Sequence, residues 1–223
     1  MDGLRAAFLD RDGTLNVKPP PGRYVTTPDG LALLPGAAAA VARLNQAGWV
    51  TVLVTNQRGV ARGLMTEAAL RAVHRRLLAL LAAEGARLDA LYSCVHQKES
   101  CGCRKPLPGL FLKAVADNPA IDLSRSVVIG DEETDVLAGK AAGTRAVRLA
   151  PPGTPSTADH LATNLPEAVN WLLTAGTARS PSYPGVRGDD VRLGEERNLP
   201  AGHPNVSGEP QDLCSADRLM DSS

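Results

Sequence analysis

The sequence predicts an α/β protein: a doubly wound parallel sheet with helices on both faces. Three observations predict it. Short Leu-rich or β-branched runs alternate with longer stretches of helical period. Glycine and proline punctuate those stretches at their ends. Acids and hydroxyls gather where the apolar runs stop, at the carboxyl edge where such sheets bind ligands.

Taken in order, Ala6 to Leu9 reads as the first buried strand, and Val50 to Val54, Leu91 to Val95, Val127 to Ile129 and Ala146 to Leu149 as the next four. Ala37 to Ala47 follows Pro35-Gly36 and stops at Gly48, as a helix does. Thr66 to Glu84 opens on a capping Thr and stops at Gly85, with Leu70, Val73, Leu77 and Leu80/Leu81 at helical spacing. A further helix starts at Pro108, another covers Asp135 to Ala142 before Gly143, and a last one covers Pro166 to Leu173. The segment after Asn56 is a small helical insert, too short for a large cap domain.

The period then ends. Residues 176–223 hold 17 Pro, Gly or Ser and only 13 apolar residues, so a disordered tail is expected behind a domain spanning 1–175. The chain has 223 residues with 24 basic and 24 acidic side chains, a formal net charge of zero. The tail carries five basic and eight acidic side chains, which leaves the domain at +3, a modest excess suited to a phosphorylated substrate. The balance excludes a strongly basic, nucleic-acid-coating protein, and 3% aromatics argues against stacking platforms for single strands. No apolar run approaches the ~18 residues of a membrane span, and the start of the chain is too brief for a secretory segment, so a cytoplasmic protein is expected. A monomer is the default expectation.

Two clusters carry chemistry. Phe8-Leu9-Asp10-Arg11-Asp12-Gly13-Thr14-Leu15 sets two carboxylates two residues apart at a strand end, on the same side of an extended segment. Alone, Asp12-Gly13 reads equally well as a polar turn. Other strand ends alter the balance: Val54-Thr55-Asn56 supplies uncharged phosphate donors, Ile129-Gly130-Asp131 a further acid, and Arg104-Lys105-Pro106 a cationic pair. Gathered carboxylates repel unless a cation sits among them, and Mg²⁺ takes oxygen ligands. The second cluster is Cys94-Val95-His96 and, four residues on, Cys101-Gly102-Cys103, a Cys₃His set of the kind that closes a structural Zn²⁺ site. The alternative is a disulfide with a spare thiol, although a Cys-x-Cys bridge is strained. The zinc loop, 94–103, abuts Lys105 and would stiffen the segment that carries it. His74 and His160 read as ordinary surface histidines, as does His203; Trp49 and Trp171 read as core anchors, and Cys214 as a free thiol.

Asp-x-Asp-Gly-Thr, then hydrophobics-Thr-Asn, then Lys, then Gly-Asp-x-x-x-Asp, over residues 8–135, resembles the haloacid-dehalogenase-like phosphatase superfamily. The resemblance implies a Rossmann-like core with a minimal cap. It implies that Asp10 is the nucleophile forming an aspartyl-phosphate, and that Asp12 is the acid and then the base. Asp10, the Asp12 carbonyl and Asp131 would hold Mg²⁺, and Thr55 and Lys105 would grip the phosphoryl group. Asp135 either assists the metal indirectly or caps the following helix.

A zinc loop before Arg-Lys-Pro resembles the branch holding the D-glycero-D-manno-heptose 1,7-bisphosphate 7-phosphatases and the histidinol-phosphate phosphatases. Thr55-Asn56-Gln57-Arg58-Gly59-Val60-Ala61-Arg62-Gly63 and Tyr24 to Pro28 are similar to the heptose type, whereas the four-residue gap between His96 and Cys101 is nearer the histidinol type. The implied substrate is thus a small phosphorylated sugar, the 7-phosphate of the bisphosphate being removed, with no nucleic acid or membrane partner. Thr55, Asn56 and Gln57 are candidate substrate contacts, and Arg62 and Arg104 candidates for the distal phosphate, because guanidinium forks match phosphate oxygens. Arg58 reads as a solvated loop arginine or a further phosphate contact. Histidinol phosphate, a 3′-phosphorylated polynucleotide end and a silent zinc-stabilised binding module are the competing functions.

Overall fold

The computed structural model describes residues 3–175 and the short strand at 215–217. Seven strands lie in one sheet: β1 (Ala6–Leu9), β2 (Val50–Asn56), β3 (Ala90–Cys94), β4 (Val127–Gly130), β5 (Arg145–Leu149), β6 (His160–Ala162) and β7 (Ser215–Asp217), in the spatial order β6-β5-β4-β1-β2-β3-β7. Strands β1 to β6 run parallel, and β7 pairs antiparallel with β3 at the edge. The order steps outward from β1 in both directions, so β1 lies at the topological switch point where a crevice opens beyond the strand ends.

The pleat sorts the core into two layers. Ala7 and Leu9 of β1 face one cluster and Ala6 and Phe8 the other. Helices α1 (Ala37–Gln46), α2 (Glu67–Ala83) and α5 (Leu165–Ala175) cover the first face. Helices α3 (Gly109–Asp117) and α4 (Glu133–Ala142) cover the second, where Phe8 and Phe111 meet at 4.8 Å between ring centroids. Thr66 caps α2 as expected, its hydroxyl accepting from the Ala69 N–H at 3.1 Å.

The five expected strands and the five helices expected outside the insert are all present, with ends within two residues of those predicted, whereas the insert after Asn56, expected as helical, is a run of turns and bends over 58–65. Strands β6 and β7 were not expected. At three residues each they are too short to show alternation, and β7 lies in the segment read as a disordered tail. The rest of that segment, with His203 and Cys214, lies outside the described residues. Trp49 is buried and Trp171 packs partly buried against the first cluster. His160 is not in a polar connection: it stands on β6, stacked on Trp171 at 4.4 Å. Among the described residues, no helix is long and apolar enough to cross a membrane.

Candidate active site

A cleft of about 240 Å³ opens over the carboxyl ends of β1, β2 and β4. Its floor is Asp10, Asp12, Thr55, Asn56, Lys105, Asp131 and Asp135, with Arg104 beside them. The segment Lys18-Pro19-Pro20-Pro21-Gly22-Arg23-Tyr24 forms one wall.

Asp10 follows β1 directly, and its N–H donates to the Ile129 carbonyl at 3.0 Å, carrying the sheet ladder one residue into the site. Burial pushes its carboxyl up to about 6, against the opposing pull of the Lys105 ammonium. Lys105 is buried, with Nζ 2.6 Å from Asp10 Oδ1, 2.5 Å from Asp135 Oδ1 and 2.7 Å from the Val54 carbonyl. Burial alone would lower this lysine, but Asp10 and Asp135 outweigh it and hold the ammonium above the ordinary range. Asn56 clamps the backbone of Lys105: its Oδ1 accepts from the Lys105 N–H at 3.2 Å and its Nδ2 donates to the Lys105 carbonyl at 3.1 Å. Asp135 also accepts from the Glu132 N–H at 3.1 Å, so one carboxylate both caps α4 and anchors Lys105.

Asp131 approaches the loop after β1 only because residue 13 is glycine. A Cβ there would stand 2.5 Å from Asp131 Oδ2, and the backbone has φ +90°. Asp131 Oδ1 is buried with no partner, while Oδ2 takes Lys18 Nζ at 2.5 Å; Lys18 also reaches Glu132. Burial raises Asp131, opposed by Lys18. Oxygens of Asp10, Asp131 and Asp135 lie within 4.8 Å of one another. An all-oxygen cluster with an orphaned buried oxygen fits a hard divalent cation such as Mg²⁺.

Asp12 accepts from three side chains. Arg11 reaches Oδ1 from Nε at 3.2 Å and Oδ2 from Nη2 at 3.0 Å; Asn16 Nδ2 reaches Oδ1 at 2.9 Å and Gln57 Nε2 reaches Oδ2 at 3.0 Å. Gln57 is fully buried and donates also to Thr55 Oγ1 at 2.9 Å, so it lies beneath the cleft rather than on its surface. Arg62, expected at the distal phosphate, is exposed and does not line the cleft; with Arg58 it bonds the Tyr24 hydroxyl. Arg58 is accordingly half-buried in a defined contact, not a solvated loop arginine. The two guanidinium groups bring Tyr24 below the ordinary tyrosine range, although burial acts the other way. Arg104 lines the cleft and keeps Nη1 buried without a partner, a donor directed to no group of the protein.

Cys94 closes β3, and Cys94, His96, Cys101 and Cys103 converge. The Sγ–Sγ separations are 3.6 Å (Cys94–Cys101) and 3.5 Å (Cys101–Cys103), and His96 Nδ1 lies 3.7 Å from Cys94 and 3.4 Å from Cys103. A tetrahedral zinc with ordinary bond lengths would set sulfurs roughly 3.8 Å apart and sulfur and nitrogen roughly 3.6 Å apart. The cluster therefore fits zinc, and its sulfurs stand too far apart for a disulfide, which needs about 2.05 Å. Hydrogen bonding from Cys103, then from His96 and Cys101, brings the Cys94 thiol down to about 5 despite burial.

Residues 2–143 match the sequence model of the haloacid dehalogenase-like hydrolases. The chain belongs to that family. It is 45% identical over 146 residues to the D-glycero-beta-D-manno-heptose-1,7-bisphosphate 7-phosphatase of Rhodopseudomonas palustris, covering 62% of this chain and 79% of that protein. The protein of the same name from Bordetella bronchiseptica is 40% identical over 141 residues, covering 63% and 77%. The crystal structure of the D,D-heptose 1,7-bisphosphate phosphatase of B. bronchiseptica, complexed with magnesium and phosphate, aligns at a TM-score of 0.69 and 35% identity, covering 77% of this chain and 99% of that one. In this haloacid dehalogenase-like hydrolase an acid-lined cleft lies at the switch point of the sheet.

One buried polar residue beside the site was expected elsewhere. His74, expected at the surface, is 3% exposed and its Nε2 lies 3.3 Å from Arg11 Nη1. Its sequence signal was position. Leu70, Val73, Leu77 and Leu81 define the buried seam of α2, and residue 74 falls within that seam between Val73 and Leu77. The neighbouring Arg75-Arg76 pair made the stretch read as a charged face.

Proposed function

We propose that this chain removes the 7-phosphate of D-glycero-β-D-manno-heptose 1,7-bisphosphate through an aspartyl-phosphate on Asp10. The observation that carries the reading is one cleft holding Asp10, Asp12, Thr55, Lys105 and Asp131 at the switch point of a sheet, in a chain 45% identical to an enzyme of that name.

The residues divide the work. Asp10 attacks phosphorus, the bond from phosphorus to the sugar oxygen breaks, and Asp12 delivers a proton to the departing alkoxide. Water then attacks the phosphoenzyme, Asp12 takes its proton, and the bond from Asp10 to phosphorus breaks. Lys105, fixed by Asp135 and by the Asn56 clamp, directs its ammonium at the oxygens of the transferring group. Thr55 lines the cleft beside it and Arg104 offers its unpartnered Nη1 to the distal phosphate. Asp10, the Asp12 carbonyl and Asp131 would hold Mg²⁺, which supplies charge neutralisation for the phosphoryl oxygens. Cys94, His96, Cys101 and Cys103 would hold a structural Zn²⁺ that stiffens the loop leading into Lys105.

Initial rates of phosphate release from the β and α anomers of the heptose bisphosphate and from histidinol phosphate test the reading. The β anomer is expected to exceed histidinol phosphate by at least about 100-fold in kcat/KM, which is about 2.7 kcal/mol of transition-state discrimination. Comparable rates on histidinol phosphate would overturn the substrate assignment.

A further inference from the structure

Behind the catalytic carboxylates lies a second layer of buried polar groups that the reaction above does not use. Arg11 is fully buried, the largest side chain so placed, and lies between two acids in sequence. A buried guanidinium is tolerated only when its donors are met. Arg11 meets them in two directions: Nε and Nη2 fork onto Asp12, and Nη1 points to His74 Nε2.

The direction of that last bond is fixed by chemistry. A guanidinium has no acceptor, so His74 Nε2 must accept and the imidazole is the neutral tautomer with its proton on Nδ1. That Nδ1 is buried and has no partner. His74 therefore makes one directed contact, to Arg11, and the rest of the ring packs in the seam of α2. A Leu, Met or Phe would fill such a position at less cost in desolvation if packing were all that mattered.

We infer that His74, acting through Arg11, is a positioning residue for Asp12: it fixes the guanidinium fork that sets where the Asp12 carboxylate points. This inference rests on Asp12 being the acid and base of the phosphatase reaction. Asp12 is attached to a tight turn, with the Leu15 and Asn16 N–H groups both donating to the Arg11 carbonyl at 2.9 and 3.0 Å. The backbone is thus fixed and only the carboxylate's rotation remains free. Arg11 holds that rotation from beneath, and Asn16 and Gln57 hold it from the sides. His74 touches neither the cleft nor any metal-binding group, so its loss should alter the aim of Asp12 while leaving the phosphate grip of Thr55 and Lys105 unchanged.

Two leaving groups separate aim from general damage. p-Nitrophenolate departs without a proton, whereas a sugar alkoxide needs one; both routes need the base when water attacks the phosphoenzyme. In His74→Leu the pre-steady-state burst of p-nitrophenolate should keep its rate, while steady-state turnover falls roughly 10- to 100-fold, the scale of a small misplacement of a catalytic group. Single-turnover cleavage of the heptose bisphosphate should fall by a similar factor. Inhibition by inorganic phosphate should not change. His74→Gln, whose Oε1 can accept from Arg11, should recover to within about threefold of the parent on the same scale. Asp12→Asn is the companion control. If it retains turnover, the acid–base reading falls and the inference with it. If Asp12→Asn is inactive and His74→Leu is normal, the inference alone is overturned. A burst that slows with the steady state, or weakened phosphate inhibition, would also overturn it in favour of a purely structural histidine.

Discussion

Among the described residues, potential metal ligands gather in two places, and the two are built in opposite ways. The Cys₃His cluster takes all four ligands from residues 94–103, and the separations of its donor atoms already match a tetrahedral ion. The carboxylate cluster takes its ligands from the ends of β1 and β4 and the first turn of α4, and its charge is balanced by lysines: the buried Lys105 and the half-exposed Lys18. The first is closed, with no position left for a substrate. The second leaves Asp131 Oδ1 unpartnered and opens into the cleft. Closure suits a fixed structural ion, and openness suits a site where ligands must come and go. On the proposed reading the difference separates stiffening from chemistry, and the closed cluster ends immediately before Arg104-Lys105.

The contrast can be broken most severely at the open cluster. Asp10→Asn removes the proposed nucleophile but keeps its shape, and turnover should fall at least about 1,000-fold with an unchanged circular-dichroism spectrum. Retained activity would move the chemistry elsewhere. At the closed cluster the expected loss is of another kind. Cys101→Ser should lower bound zinc and the melting temperature together, while chelation of magnesium alone leaves that temperature nearly unchanged. If zinc removal left both stability and phosphate affinity intact, the stiffening role would fail.

A smaller effect comes from pH. Burial, then the Arg11 charge, brings His74 down to about 3 from 6.5. Between those values the unfolded chain binds a proton that the folded chain refuses. This contribution to stability is therefore complete above about 6.5 and is lost as pH falls toward 3, at no more than about 1.4 kcal/mol per pH unit. Thermal melts of His74→Gln against the parent should show a shallower acid decline across that window. Parallel curves would mean that the imidazole is not held neutral. The smallest effect is expected at Lys18, whose ammonium occupies Asp131 and Glu132 on the open cluster. Lys18→Ala should tighten Mg²⁺ binding a few-fold in calorimetry, since a competing cation is removed. Weaker binding would show that Lys18 supports the cluster rather than competes for it.

How much of this was legible in the sequence follows from how local each signal is. The fold was legible because buried parallel strands and punctuated helices announce themselves within a few residues, whereas β6 and β7 are too short to do so. The convergence of Asp10, Asp12 and Asp131, and of Cys94, His96, Cys101 and Cys103, was legible because the motif spacing and the strand ends place them. What stayed hidden were contacts set by tertiary packing. Gln57 is two residues beyond Thr55 on the same side of the strand path, yet it turns beneath Asp12. Arg62 turns to Tyr24, 38 positions earlier in the chain and with no local sign of the contact, because the wall segment folds back over Gly59, where a Cβ would stand 2.9 Å from the Tyr24 ring. His74 meets Arg11 across 63 positions of sequence, and no local period reports such a pair.

The central claim is that Asp10 of the open cluster takes the phosphoryl group and Asp12 releases it. Mass spectrometry of Asp12→Asn, quenched in acid after mixing with Mg²⁺ and p-nitrophenyl phosphate, whose leaving group needs no proton, tests it most directly. The account predicts one phosphoryl group per chain, located on the peptide bearing Asp10 and absent from the variant that also carries Asp10→Asn. An unmodified chain although p-nitrophenolate is released, or a phosphoryl group on any other residue, would contradict it.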